Sequence, residues 1–154
     1  MKLIIMTKST FFVEEDKILS ALFEQGMDNL HLYKPGASPM YAERLLSLMS
    51  DDYYNKITVH GHFYLKDEYH LAGIHLDTTE TEIPVGYKGK VGRSCNNLEQ
   101  LKEMKKTSNC VFLHNIFNSL SNSEDKSTFT MQQLEDAADK GLIDKKVYAM
   151  GGMT

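Results

Sequence analysis

Histidine carries the first chemical signal in this chain. Of its six histidines, His31, His60, His62, His75 and His114 sit at or just beyond the ends of short apolar runs, and only His70 lies elsewhere. Imidazole titrates close to neutral pH, so such residues serve as proton carriers or phosphate contacts, and in the neutral form as metal ligands. If its strand extends that far, His60 and His62, two apart, point to one side. A zinc, nickel or iron site is the sharper alternative, because Asp77 and Glu80 follow His75 closely, although no His-x-His-plus-acid spacing emerges. His60, His75 and His114 are the candidate proton carriers.

Other reactive side chains share these positions. VGRSCNN puts Arg93 and Ser94 at the end of an apolar run, immediately before a helix start. Guanidinium, hydroxyl and helix N-terminal amides together make an anion site. The plainer reading is an Arg93 ion pair and a Ser94 cap. LHLYKPG places Tyr33 and Lys34 at another such end, where a lysine either meets a phosphate or is simply solvated. The polar stretch NSLSNSEDKS has the length and composition of a lid, with Lys126 as its cation.

The elements that must position these residues are legible in the hydrophobic pattern. Runs at 2–7, 29–32, 56–60, 71–76, 90–94, 110–115 and 145–150 are nearly continuous in apolar character, the mark of parallel strands covered on both faces. Helical stripes lie between them. Ile18, Leu19, Leu22 and Phe23 form one, stopped by Gly26. Ser38-Pro39 opens another, with Tyr41, Leu45, Leu48 and Met49 on its apolar face. Asn97 with Gln100, and Thr130 with Gln133, read as capping boxes. Residues 63–70 make at most two turns, and 78–89 reads as a loop.

Strand–helix–strand repetition predicts a single α/β domain over residues 1–154 with right-handed crossovers. An open doubly wound sheet and a (β/α)8 barrel compete. No GxGxxG or GxxxxGK[ST] follows the first strand, and reactive residues at every strand end favour the barrel. The net charge of −4 supplies no footprint for nucleic acid or an anionic membrane. No apolar run reaches the roughly 20 residues of a spanning helix. Two cysteines without metal-finger spacing fit a reducing cytosol.

At these same residues the chain resembles the thiamine phosphate synthase family, including its relatives the thiazole tautomerases. The resemblance runs in order through LHLYKPGAS, AGIHL, VGRSCNNLEQLKE, CVFLHNIFNSLS and VYAMGGMT. It implies a (β/α)8 barrel in thiamine biosynthesis. The synthase couples hydroxymethylpyrimidine diphosphate with thiazole phosphate and releases pyrophosphate with Mg2+ assistance. The tautomerase branch rearranges the thiazole phosphate by proton transfer.

The correspondence is uneven. Where the family has Gln/His-x-Arg-x-Lys for the diphosphate, this chain has His31, Tyr33 and Pro35, with Lys34 out of register. His60 and Gly61 replace the Asn-Asp pair whose acid binds Mg2+, leaving Glu80 as the stand-in for the second metal acid. His75 and Ser94 match, and Asn96 stands where the tautomerases have histidine. In Gly-Pro-Ile-Phe-x-Thr/Ser-x-x-Lys, Ser119 keeps the hydroxyl but Asn122 replaces the lysine. Gly151 and Gly152 match the phosphate-binding glycines.

The expected phosphate contacts are therefore His31, Tyr33, Lys34, Arg93, Ser94, Asn96, Ser119, Gly151 and Gly152. The expected activity is synthase-like, with a tautomerase-like, non-catalytic precursor-binding or regulatory member as the alternative. About 250 residues is typical for the barrel. Seven strands in 154 residues thus predict either a truncated barrel, lacking its last helices and closing strand, or one completed by another copy of the chain.

Overall fold

Apolar residues on both faces of a strand demand cover on both sides, and the seven runs satisfy that demand by pairing in parallel between helices. The computed structural model describes residues 2–78, 82–118, 124 and 126–152. Its strands are β1 (Ile4–Met6), β2 (Asn29–Tyr33), β3 (Ile57–His60), β4 (Gly73–Leu76), β5 (Lys90–Cys95), β6 (Cys110–Leu113) and β7 (Val147–Ala149). The helices are α1 (Glu15–Glu24), α2 (Pro39–Ser47), α3 (Tyr64–Glu68), α4 (Leu98–Lys106) and α5 (Met131–Asp139). Each strand lies within two residues of its expected bounds. The fold is α/β, with the parallel strand succession of a (β/α)8 barrel. No helix among the described residues is long and apolar enough to cross a membrane.

The chain divides into two units, Met1–His75 with Ile83–Gly89, and Leu76–Glu82 with Lys90–Thr154. In the first, β2 pairs with β1 and β3, and β3 with β4, all in parallel. Leu30, Leu32, Ile57, Val59 and Ile74 are buried along these strands. Helix α2 begins at Pro39 as expected, but its inward stripe is Ala42, Leu45, Leu46 and Met49. Tyr41 and Leu48, expected inside, are exposed. The i, i+3, i+4, i+7 series starting at Ala42 is the row that meets the sheet.

Strand β3 ends at His60, where Gly61 (φ 76°) and His62 (φ 45°) turn the chain. His62 therefore does not share the side of His60. It is exposed, and its Nε2 lies 2.9 Å from the Ala37 carbonyl oxygen.

The segment between β1 and α1 is held by one buried cation. Lys34 Nζ donates to Glu15 Oε1 at 2.6 Å, to the Lys8 carbonyl at 2.9 Å and to the Thr10 carbonyl at 3.0 Å. It also sits 4.4 Å from the centroid of Phe11. An ammonium has three hydrogens to give, and all three are spent here. Lys34 thus anchors a loop, and is buried where a solvated lysine was the plainer expectation.

In the second unit, β6 pairs in parallel with β5 and β7. Cys95, Leu101, Val111 and Leu113 form its buried core, flanked by Leu98, Met104, Phe129, Leu134 and Ile143. Helix α4 is capped by Asn97, whose Oδ1 accepts from the Gln100 amide at 2.8 Å. Helix α5 carries the full reciprocal box between Thr130 and Gln133. Lys105 reaches across to Asp144 at 2.7 Å and to the Leu142 carbonyl at 2.7 Å.

Removing one member of a buried ion pair strands the other charge, a loss of about 3–5 kcal/mol. Lys34→Met is expected to lose stability of that order in urea unfolding. The double variant Lys34→Met/Glu15→Gln should recover most of it, because no charge is then left buried.

Candidate functional site

Three strand ends in the first unit bring imidazoles together. Parallel pairing puts His60 of β3 directly beside His75 of β4 and beside Tyr33 of β2. His31 lies two residues before Tyr33 and so projects from the same side of β2. His31 Nδ1 and His60 Nε2 are 2.8 Å apart, one ring donating and the other accepting. The rings of His60 and His75 stack with centroids 4.4 Å apart and planes 19° from parallel. His31 meets both edge-on at 5.1 Å, and Tyr33 stands edge-on to His60 at 5.4 Å.

All three histidines are buried, His75 fully. Burial, and after it the neighbouring His60, pushes the His31 imidazole down to about 3. A neutral ring offers a phosphate an N–H donor and no positive charge. Its surroundings favour proton sharing with His60 or ligation of a cation.

The Mg2+ that the resemblance implies does not fit this donor set. Gly61, which has no side chain, holds the position of the first metal acid. Glu80, the expected second, lies outside the described residues. Among the described residues, the group of donors close enough to share an ion consists of His31, His60 and His75. Mg2+ requires oxygen ligands in near-octahedral array, and three imidazole nitrogens do not supply it.

The second unit holds a different constellation. His114 Nε2 and Ser94 Oγ are 2.9 Å apart, with Ser94 at the end of β5 and His114 just past β6. Ser94 is buried, whereas Arg93 and His114 are half-buried. Asn96 is exposed, and its carbonyl accepts from Thr128 Oγ1 at 3.4 Å. Ser119 lies outside the described residues.

Gly151 (φ 99°) and Gly152 (φ 64°) follow β7 in the left-handed region. They are stitched to the segment after β6: the Met150 carbonyl accepts from the Ile116 amide at 3.1 Å and the Gly151 carbonyl from the Phe117 amide at 3.2 Å. A Cβ at Gly152 would run into the Asn118 carbonyl oxygen and lie 2.8 Å from Phe117 Cβ. Beside this turn, Ile116, Phe117, Asn118, Ser127, Phe129, Met131 and Leu134 line an open cavity of about 380 Å³. The hydroxyl–imidazole pair, the glycine turn and this mostly apolar recess all belong to the second unit.

Every histidine of the cluster is visible in the sequence as a strand-end residue. The C-terminal ends of parallel strands share one face, so a gathering of strand-end histidines is expected from the residue order; which of them touch is not. Strand register decides which ends meet, and register is a property of the paired sheet.

No family model matches the sequence, and no curated protein matches it. Solved structures do. A thiamine phosphate pyrophosphorylase from Bacteroides thetaiotaomicron is 45% identical, with a TM-score of 0.89 over 100% of this chain and 74% of that one. Another, from Pyrococcus furiosus, shares the fold at 18% identity, with a TM-score of 0.74 over 99% of this chain and 76% of that one.

The depressed His31 imidazole makes folding sensitive to acid. Between an unfolded value of 6.5 and a folded value of about 3, the unfolded chain binds a proton that the folded chain refuses. This contribution is complete above pH 6.5 and is lost as pH falls towards 3, at up to about 1.4 kcal/mol per pH unit. Wild-type stability in denaturant should therefore fall more steeply between pH 6.5 and 4 than that of His31→Leu. Parallel slopes would place the proton elsewhere.

Proposed function

Because this chain belongs to the thiamine phosphate pyrophosphorylase family, being 45% identical along its whole length to a member of known structure, we propose that it acts in thiamine biosynthesis as a thiamine phosphate synthase. In this reading it couples hydroxymethylpyrimidine diphosphate with thiazole phosphate. The thiazole nitrogen forms a bond to the pyrimidine methylene carbon as the carbon–oxygen bond to the diphosphate breaks, and the electron pair leaves with pyrophosphate. The observation that carries this reading is the identity itself, 45% with the whole of this chain covered.

In the second unit, Ser94 donates its hydroxyl to a phosphate oxygen, while His114 orients that hydroxyl and exchanges protons with the reacting groups. Gly151 and Gly152 form the turn whose backbone amides face the phosphate, a turn that a Cβ would push off Asn115, Phe117 and Asn118. The decisive experiment incubates the purified protein with both substrates and measures thiamine phosphate and pyrophosphate together. Stoichiometric formation of the two supports the reading, and their absence under binding conditions removes it.

A second reading has its own observations. Gly61 replaces the metal acid, and Lys34 is consumed by Glu15. Loss of charge around the diphosphate favours a member that binds or isomerises a phosphorylated thiazole without coupling it. Binding of thiazole phosphate with no coupled product would single out this case.

Two substitutions probe the phosphate seat. Ser94→Ala should weaken thiazole phosphate binding about 5- to 10-fold, the value of one hydrogen bond of about 1–1.5 kcal/mol. Calorimetric titration checks this, and an unchanged affinity would put the phosphate elsewhere. Gly152→Ala should lower stability by at least about 1–2 kcal/mol, since a left-handed backbone disfavours a side chain, and should weaken binding more than Ser94→Ala does.

A further inference from the structure

Three adjacent parallel strands each deliver one imidazole to the same buried spot, with no carboxylate in the group. The ligating nitrogens of His31, His60 and His75 all lie within 4.8 Å of one another, the nearest pair at 2.8 Å. Two nitrogens bound to zinc at 2.0–2.1 Å in tetrahedral geometry are about 3.3 Å apart, a separation between those two distances. Reaching it calls for side-chain rotations that part the stacked rings of His60 and His75 and aim their in-plane lone pairs at one point.

The chemistry of the donors agrees with the geometry. Neutral imidazole is a borderline-soft ligand that suits zinc, copper, nickel and iron, whereas the oxygen-seeking Mg2+ of the family finds no partner here. The 2.8 Å contact between His31 and His60 already requires one shared proton. A metal ion would do for three nitrogens what that proton does for two. Ligation then replaces the His31–His60 hydrogen bond and calls for a change of tautomer, with no proton released.

We propose that His31, His60 and His75 form a binding site for a divalent transition metal, zinc above all, held by three imidazole nitrogens. A fourth position stays open to water or an anionic oxygen, since the described cluster supplies three protein ligands. The site does not depend on the thiamine phosphate reading, because its ligands belong to the first unit and the phosphate seat was built from Ser94, His114 and the glycines of the second.

The test uses the full chain, stripped with a chelator and titrated with Co2+, Zn2+ and Mg2+. Expected are one equivalent of Co2+ with visible ligand-field absorption, displacement of that signal by one equivalent of Zn2+, no effect of excess Mg2+, and a higher unfolding temperature with Zn2+. His75→Gln should weaken Zn2+ binding at least about 100-fold, while His70→Gln, altering an exposed histidine, should change nothing. X-ray absorption of the wild-type zinc protein should count three nitrogen ligands, a reading that holds even if the His75 variant folds poorly. Absence of stoichiometric binding, fewer than three nitrogens at the metal, or undiminished affinity in a folded His75→Gln protein would each overturn the site.

Discussion

Parallel register between β2, β3 and β4 is the constraint on which the chemistry of the first unit depends. Leu30 pairs with Ile57, Leu32 with Val59 and Val59 with Ile74, and these apolar residues are buried. Because the strand period is two, fixing one face of each strand fixes the other. Burying the aliphatic row therefore aligns Tyr33, His60 and His75 on the opposite side, with His31 one layer earlier. A slip of one residue in β3 would send His60 to the aliphatic side and Val59 into the cluster. The positions of the imidazoles are in this sense a consequence of hydrophobic burial.

The same unit shows how charge has been redistributed relative to what the family resemblance implies. The cation at the end of β2 faces back towards the chain, where Lys34 holds Glu15 and two carbonyls. The acid after β3 has given way to Gly61, whose positive φ helps turn the chain out of the strand. Hard, charged contacts for a diphosphate and its magnesium are thus replaced around these strand ends by imidazole nitrogen. Affinity for an anion here cannot rest on a fixed guanidinium or ammonium, the strongest of such contacts.

The second unit keeps more of the expected pattern. Ser94 and His114 meet across β5 and β6, and the glycine turn after β7 is threaded against the segment following β6 through two backbone hydrogen bonds. Gly152 is required by contact as much as by conformation, since the Asn118 carbonyl occupies the space of a side chain. The phosphate seat proposed for this unit rests on backbone and hydroxyl groups, which depend less on surrounding charge than arginine and lysine do.

The residue order alone determined the element types, because burial on both faces writes continuous apolar runs for strands and 3.6-residue stripes for helices. Seven strands, the caps at Asn97 and Thr130, and the placing of histidines at strand ends all followed from that local grammar. The inward face of α2, the turn that carries His62 away from His60, and the commitment of Lys34 to Glu15 did not. Each depends on a partner distant in the chain: the sheet beneath α2, the Ala37 carbonyl, the loop after β1. A meeting of strand-end histidines is expected of parallel strands, but the particular contacts among His31, His60 and His75 belong to the same class. Twenty-nine residues separate the first two, and only the lateral register of paired strands, set by which aliphatic side chains bury together, brings their nitrogens within reach of one another.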